Sequence, residues 1–132
     1  MKELPGFTSK RKILFSPRST PQDLVRVGKE FLEAEYYDDA LEFFTRAGAA
    51  DEVRAVAEKA YEAADVPLFM RARKAIKESI APEQWEHLAQ ANIKLGRFSM
   101  AQLAYNQAGM PEKAEQVKSM TASSAPGPQH SE

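Results

Sequence analysis

The sequence predicts an all-α protein made of helical hairpins. Three observations carry this expectation. No segment alternates apolar and polar residues with period two over the length of a strand. Helix start and stop residues recur from residue 20 to the C-terminal region. Residues 24–48 can also be laid over residues 85–109 without a gap, so the helices come in related pairs.

The elements follow in order. Residues 1–20 form a basic leader, with Lys2, Lys10, Arg11, Lys12 and Arg18 against Glu3. Pro5, Gly6 and Pro17 predict that it is largely non-helical. Thr20-Pro21-Gln22-Asp23 then opens the first helix. Thr20 can cap a backbone N–H, Pro21 suits the first helical position, and Asp23 suits the positive helix end. Leu24, Val27 and Phe31 share one face of it. Asp38 or Asp39 can cap a second helix, with Ala40, Phe44 and Ala47 on one face and Gly48 as its stop. Asp51 opens a third, carrying Val53, Val56, Ala57 and Ala60. Asp65-Val66-Pro67 starts a fourth, expected to run to Ile80. Pro82 starts a fifth with Trp85, Leu88, Ala89 and Ile93, stopped by Gly96. Ser99 caps a sixth with Ala101, Tyr105 and Ala108, stopped by Gly109. Pro111 begins a short seventh, with Ala114, Val117 and Met120 inward. Residues 21–120 are thus the folded domain. The small, polar and Pro/Gly-broken stretch 121–132 is expected to be disordered.

The overlay keeps one constant offset throughout, the step from Ala40 to Ala101. Leu24 falls on Trp85, Val27 on Leu88, Gly28 on Ala89, Tyr37 on Phe98, Asp38 on Ser99, Phe44 on Tyr105 and Gly48 on Gly109. Small residues stand where two helices approach, and aromatics stand where the next helix leaves space. Repeated helix pairs of this kind stack into a solenoid.

In these residues the chain resembles the tetratricopeptide (TPR) family. The better match is Trp85, Leu88, Ala89, Gly96, Phe98, Ala101, Tyr105 and Ala108. The second is Leu24, Val27, Gly28, Phe31, Tyr37, Ala40, Phe44 and Ala47. The resemblance covers about residues 21–118. It implies a right-handed α-solenoid of about three hairpins with a C-terminal capping helix. Three departures stand out: repeat units shorter than those of the family, a poorly matching middle pair, and Asn92 in place of an inward aromatic.

The resemblance also implies a function, namely binding a peptide or helix in a concave groove. Groove positions carried over from the family are Gln22, Val25, Lys29, Leu32 and Glu33 in the first repeat. In the last they are Glu83, Glu86, Gln90, Ile93 and Lys94. The TPR subgroup that clamps C-terminal carboxylates uses Lys and Asn at two such positions. Here they are Val25 and Lys29, so no such clamp is expected.

The residues offer no catalytic constellation. Cysteine is absent, which removes thiol catalysis, thiolate zinc sites and disulfides. Of two histidines, His130 lies in the tail and His87 stands alone on a helix. No Gly-rich phosphate loop, paired-histidine motif or nucleophile elbow occurs. No enzyme activity, cofactor or metal is therefore expected. Glu33, Glu35, Asp38, Asp39 and Glu42 form an acidic cluster that could bind a cation or a basic peptide; the preferred reading is that Asp38, Asp39 and Glu42 line a helix N-terminus. Trp85, Tyr37, Phe98 and Tyr105 read as packing, while Tyr36 does not.

The run Lys10-Arg11-Lys12-Ile13-Leu14-Phe15 leaves three readings open. It is a solvated leader whose apolar trio caps the first helix pair, an extended peptide in the protein's own groove, or a docking motif for another protein. Three neighbouring cations and a net charge of −1 argue against strong nucleic-acid binding. No apolar run reaches the ~18 residues of a spanning helix, and no signal-peptide core opens the chain, so a cytoplasmic location is expected. The sequence thus points to a non-catalytic adaptor, scaffold or small chaperone-like module for another protein. The alternative is a structural subunit that self-assembles, or completes a larger assembly, through its repeat faces.

Overall fold

The computed structural model describes residue 4 and residues 6–124. Among these, all regular structure is helical and no strand occurs. The helices are α1 (Phe7–Phe15), α2 (Pro21–Glu33), α3 (Tyr37–Ala47), α4 (Ala50–Glu62), α5 (Val66–Ala75), α6 (Pro82–Lys94), α7 (Phe98–Gln107) and α8 (Pro111–Ser124). The chain divides into two compact units. One runs up to Ala63 and includes Pro67–Ser79; the other holds Ala64–Val66 and the residues from Ile80 onward.

The leader corrects the sequence expectation of a largely non-helical segment, because α1 occupies Phe7–Phe15. Gly6 and Pro17 lie outside the helix rather than within it. Gly6 is the extended N-terminal cap, and Ser16 leaves α1 in an extended conformation before Pro17. A helix this short is marginal on its own and needs tertiary contacts. At the other end, the expected disorder of 121–132 is corrected as far as Ser124, which ends α8. Residues 125–132 lie outside the described residues.

Several helix ends also differ from the sequence reading. The Thr20 cap is as expected: its Oγ1 accepts from the Asp23 N–H at 3.1 Å, and Asp23 Oδ2 accepts from the Thr20 N–H at 3.0 Å. Asp38, Asp39, Asp51 and Ser99 are not caps. Helices α3, α4 and α7 start earlier, after Tyr36, Ala49 and Arg97, and no side chain caps them. The acids instead occupy first turns, where they still meet the positive helix end. Helix α5 stops at Ala75 rather than Ile80. Lys77 takes a left-handed φ of 56°, and the Glu78 N–H bonds back to the Arg73 carbonyl at 2.9 Å. That is a Schellman closure, formed here without the usual glycine.

The same closure recurs along the chain and reveals a regularity the sequence hid. Helices α2, α4, α6 and α8 begin at Pro21, Ala50, Pro82 and Pro111, at nearly even intervals. In that register the left-handed residues Glu35, Ala64 and Gly96 are equivalent, and so are Gly48, Lys77 and Gly109. The middle pair, α4 and α5, therefore follows the backbone plan of its neighbours although its side chains diverge.

The cores obey the same register. In the first unit Leu24, Val27 and Phe31 of α2 pack on Ala40, Phe43 and Phe44 of α3. Phe31 stacks on Phe43 with ring centroids 5.4 Å apart. Gly28 lies buried between them. A Cβ placed on it would come within 2.6 Å of Phe44 Cε1 and 3.1 Å of Phe43 Cβ. In the second unit Trp85, Leu88 and Ala89 of α6 pack with Ala101, Ala104 and Tyr105 of α7. Helix α8 packs on α7 and buries Ala114 and Val117, while Glu112, Lys113, Glu115, Gln116 and Lys118 stay exposed.

Candidate interaction surfaces

Two open surfaces on the first unit and one helix face on the second bear on function. The first surface is made by α1. Lys10 Nζ bonds Asp39 Oδ1 at 2.5 Å and lies 3.5 Å from Glu42 Oε1. The hydrogen bond to Asp39 is the main reason that the Lys10 ammonium is held above its ordinary pKa of 10.5. Leu14 is buried, and its carbonyl accepts a hydrogen bond from Arg46 Nε at 3.1 Å. Phe15 is half exposed, with the Arg46 and Arg11 guanidinium groups 5.0 and 5.4 Å from its ring centroid. A hollow of about 660 Å³ remains, lined among others by Leu14, Phe15, Leu41, Thr45 and Ala75.

This geometry settles how Lys10, Arg11, Lys12, Ile13, Leu14 and Phe15 are held. They are helical, and the contacts of Lys10 and Leu14 run to α3 of their own chain. The extended-peptide reading is overturned: Lys10 and Leu14 meet Asp39, Glu42 and Arg46, not Gln22, Val25 or Lys29. Ion pairs within the protein also take up much of the acidic cluster. Asp39 and Glu42 face Lys10, and Asp38 pairs with Arg71 of α5. Glu33 and Glu35 are exposed.

The second surface is a groove of about 560 Å³ along the N-terminal half of α2. Its lining is Pro21, Gln22, Val25, Arg26 and Lys29 with Ala47 and Ala49. Of the first-repeat positions, Gln22, Val25 and Lys29 thus share one concavity. Leu32 and Glu33 lie further along α2 and outside it. Arg26 is held on its own helix by Asp23 at 3.7 Å and Glu30 at 3.9 Å. Among the described residues no carboxylate pairs with Lys29, and no acidic side chain lines the groove. Sequence reasoning missed Ala47 and Ala49 as lining residues. The only signal for them was the run of small residues Ala47-Gly48-Ala49-Ala50 at the turn.

On the second unit, Glu83, Gln90 and Lys94 are exposed on α6 and Ile93 is half-buried. Glu86 is bonded to Lys113 of α8 at 2.5 Å, and this hydrogen bond raises the lysine's pKa. Glu86 is therefore engaged between two helices. Asn92 is fully buried; its Nδ2 donates to the carbonyls of Leu88 at 2.8 Å and Ala64 at 3.0 Å, while its Oδ1 finds no partner. It ties α6 to the left-handed residue Ala64. His87 is exposed on α6, and His130 lies outside the described residues.

Trp85 and Tyr105 are buried, Tyr37 and Phe98 half-buried, and Tyr36 is exposed with its edge on Phe31. No group of three or more His, Asp or Glu among the described residues is placed to hold a metal ion. None of the described helices is long and apolar enough to cross a membrane. Comparison with protein-family models, curated proteins and solved structures gives no match.

Proposed function

We propose that the protein is a non-catalytic protein–protein interaction module, an adaptor or scaffold of the TPR-like α-solenoid type acting in the cytoplasm. The observation that carries the reading is the groove on α2, where Gln22, Val25 and Lys29 converge on Ala47 and Ala49. It is concave, mainly apolar in lining and edged by cations, the features of a preformed peptide site. The recurrence of one hairpin plan at Pro21, Ala50 and Pro82 supports the repeat character. The engagement of Glu86 by Lys113 removes one second-unit position from the ligand set, so the reading concentrates on the first hairpin.

The test is affinity capture from native lysate with the full chain, followed by cross-linking and mass spectrometry. A stoichiometric partner cross-linked to α2 and α3 is the expected result. Cross-links confined to copies of the chain itself would replace this reading with that of a self-assembling structural subunit.

A further inference from the structure

The repeat register allows one position to be compared three times. Counted from the helix starts Pro21, Ala50 and Pro82, Val25 of the first hairpin corresponds to Arg54 of the second and Glu86 of the third. The Arg54 guanidinium bonds Glu78 at 2.6–2.8 Å and Asp51 at 2.9 Å. Glu86 is bonded to Lys113 at 2.5 Å. Both positions are closed by a charge pair that spans to the neighbouring helix or turn.

The first hairpin departs from this. Val25 carries no charge, and in the same register the equivalent of Glu78 is Ala49. No bridge can form, and the place of the ion pair is taken by the open groove of about 560 Å³. The apolar lining of Val25, Ala47 and Ala49 is flanked by Arg26 and Lys29. Arg26 already faces Asp23 and Glu30, but among the described residues Lys29 has no such neighbour. A surface that is apolar at its floor, cationic at its edge and without acid complements an apolar side chain next to a carboxylate.

We propose that this groove takes an internal peptide segment of another protein that carries an apolar residue beside an Asp or Glu. The inserted side chain covers Val25, Ala47 and Ala49, and the carboxylate pairs with Lys29. The occupant supplies from outside the closure that Arg54–Glu78 provides within the second hairpin. This rests on the interaction-module reading and narrows it to one partner chemistry. A side-chain carboxylate suffices, so binding does not depend on a free C-terminus.

The test is selection of random dodecapeptides, displayed with both ends fused to carrier protein, against the full chain. Enriched sequences are expected to combine an apolar residue with a neighbouring Asp or Glu. A selected peptide, synthesised with an amidated C-terminus, should then lose about tenfold or more in affinity for V25R/A49E, which rebuilds in the first hairpin the bridge of the second. Thermal unfolding of V25R/A49E shows whether its fold is kept. Lys29→Glu alters only an exposed side chain, and it should weaken the same peptide severalfold.

Enrichment of basic or purely apolar peptides would overturn the proposal and leave the module reading standing. So would acidic peptides that bind V25R/A49E and Lys29→Glu as well as they bind the parent chain. Failure to enrich any peptide would also overturn the proposal, while the module reading stands or falls with the capture of a partner cross-linked to α2 and α3.

Discussion

Gly28 is the residue on which the first hairpin turns. Its hydrogen stands where a methyl group would meet the buried ring of Phe44 at 2.6 and 2.8 Å. The equivalent residues Ala57 and Ala89 already carry a Cβ and are buried, so the constraint is local to the α2–α3 contact. Gly28→Ala should destabilise the protein by ~1–3 kcal/mol, read from urea unfolding, because the added methyl group forces the buried Phe44 ring to shift and also crowds Phe43 Cβ at 3.1 Å. An unchanged midpoint would show that α2 and α3 are not packed as described. Lys77 presents the opposite case. It is a side-chain-bearing residue at φ 56°, in the place that Gly48 and Gly109 fill with φ 70° and 76°. Relief of left-handed strain outweighs the added unfolded-state freedom of glycine, so Lys77→Gly should raise stability by up to ~1 kcal/mol. A lowered melting temperature would contradict this. Glycine at positions 48, 96 and 109 makes those stops readable. Glu35, Ala64 and Lys77 give no such sign, which is why the pattern alone predicts an α5 that continues to Ile80.

Among the elements, α1 is tied to α3 through Lys10 and the Leu14 carbonyl. Its lysine reaches a carboxylate 29 residues away, and a window along the sequence cannot register such a contact. This non-local docking explains why the helix is not legible in the sequence. Gly6 and Pro17, which read as breakers of the segment, delimit it instead. The later helices are legible because Thr20, Pro21, Pro82 and Pro111 mark starts and Gly48, Gly96 and Gly109 mark stops. The docking carries a pH dependence. The hydrogen bond to Asp39 holds the Lys10 pKa above its unfolded value of 10.5. The stabilisation is therefore fully present below pH 10.5 and is lost as the pH rises through the folded pKa. Methyl resonances of Leu14 followed by NMR should shift toward their undocked positions over that range. In Lys10→Ala this step should be absent; its persistence there would assign the transition to another group.

For the molecule as a whole, α8 is the helix that departs from the plan of α2, α4 and α6. It has the two inward positions of its counterparts, Ala114 and Val117, but Lys118 stands where Gly28, Ala57 and Ala89 are buried, and it is exposed. An exposed lysine at the position that is buried in α2, α4 and α6 disfavours the stacking of a second copy on this face. Sedimentation equilibrium should accordingly return a mass of 14.7 kDa at every loading concentration. A mass that climbs with concentration would favour the structural-subunit reading. The candidate site is partly legible at this scale. Gln22, Val25 and Lys29 are among the positions that the TPR resemblance implies. Ala47 and Ala49 lie across a turn and acquire meaning only beside Arg54 and Glu78.

The near-even recurrence of helix starts at Pro21, Ala50 and Pro82 has a consequence for protein engineering. Because each hairpin places its left-handed residues at the same two steps from its start, residues 21–49 form a unit that can be repeated in register. A second copy spliced after Ala49 would present its own left-handed residues in step with the old ones. It would also duplicate the Val25 groove, and under the proposed function one chain would then carry two sockets. Avidity for a partner carrying two copies of the motif would then be set by the distance between them rather than by any new contact.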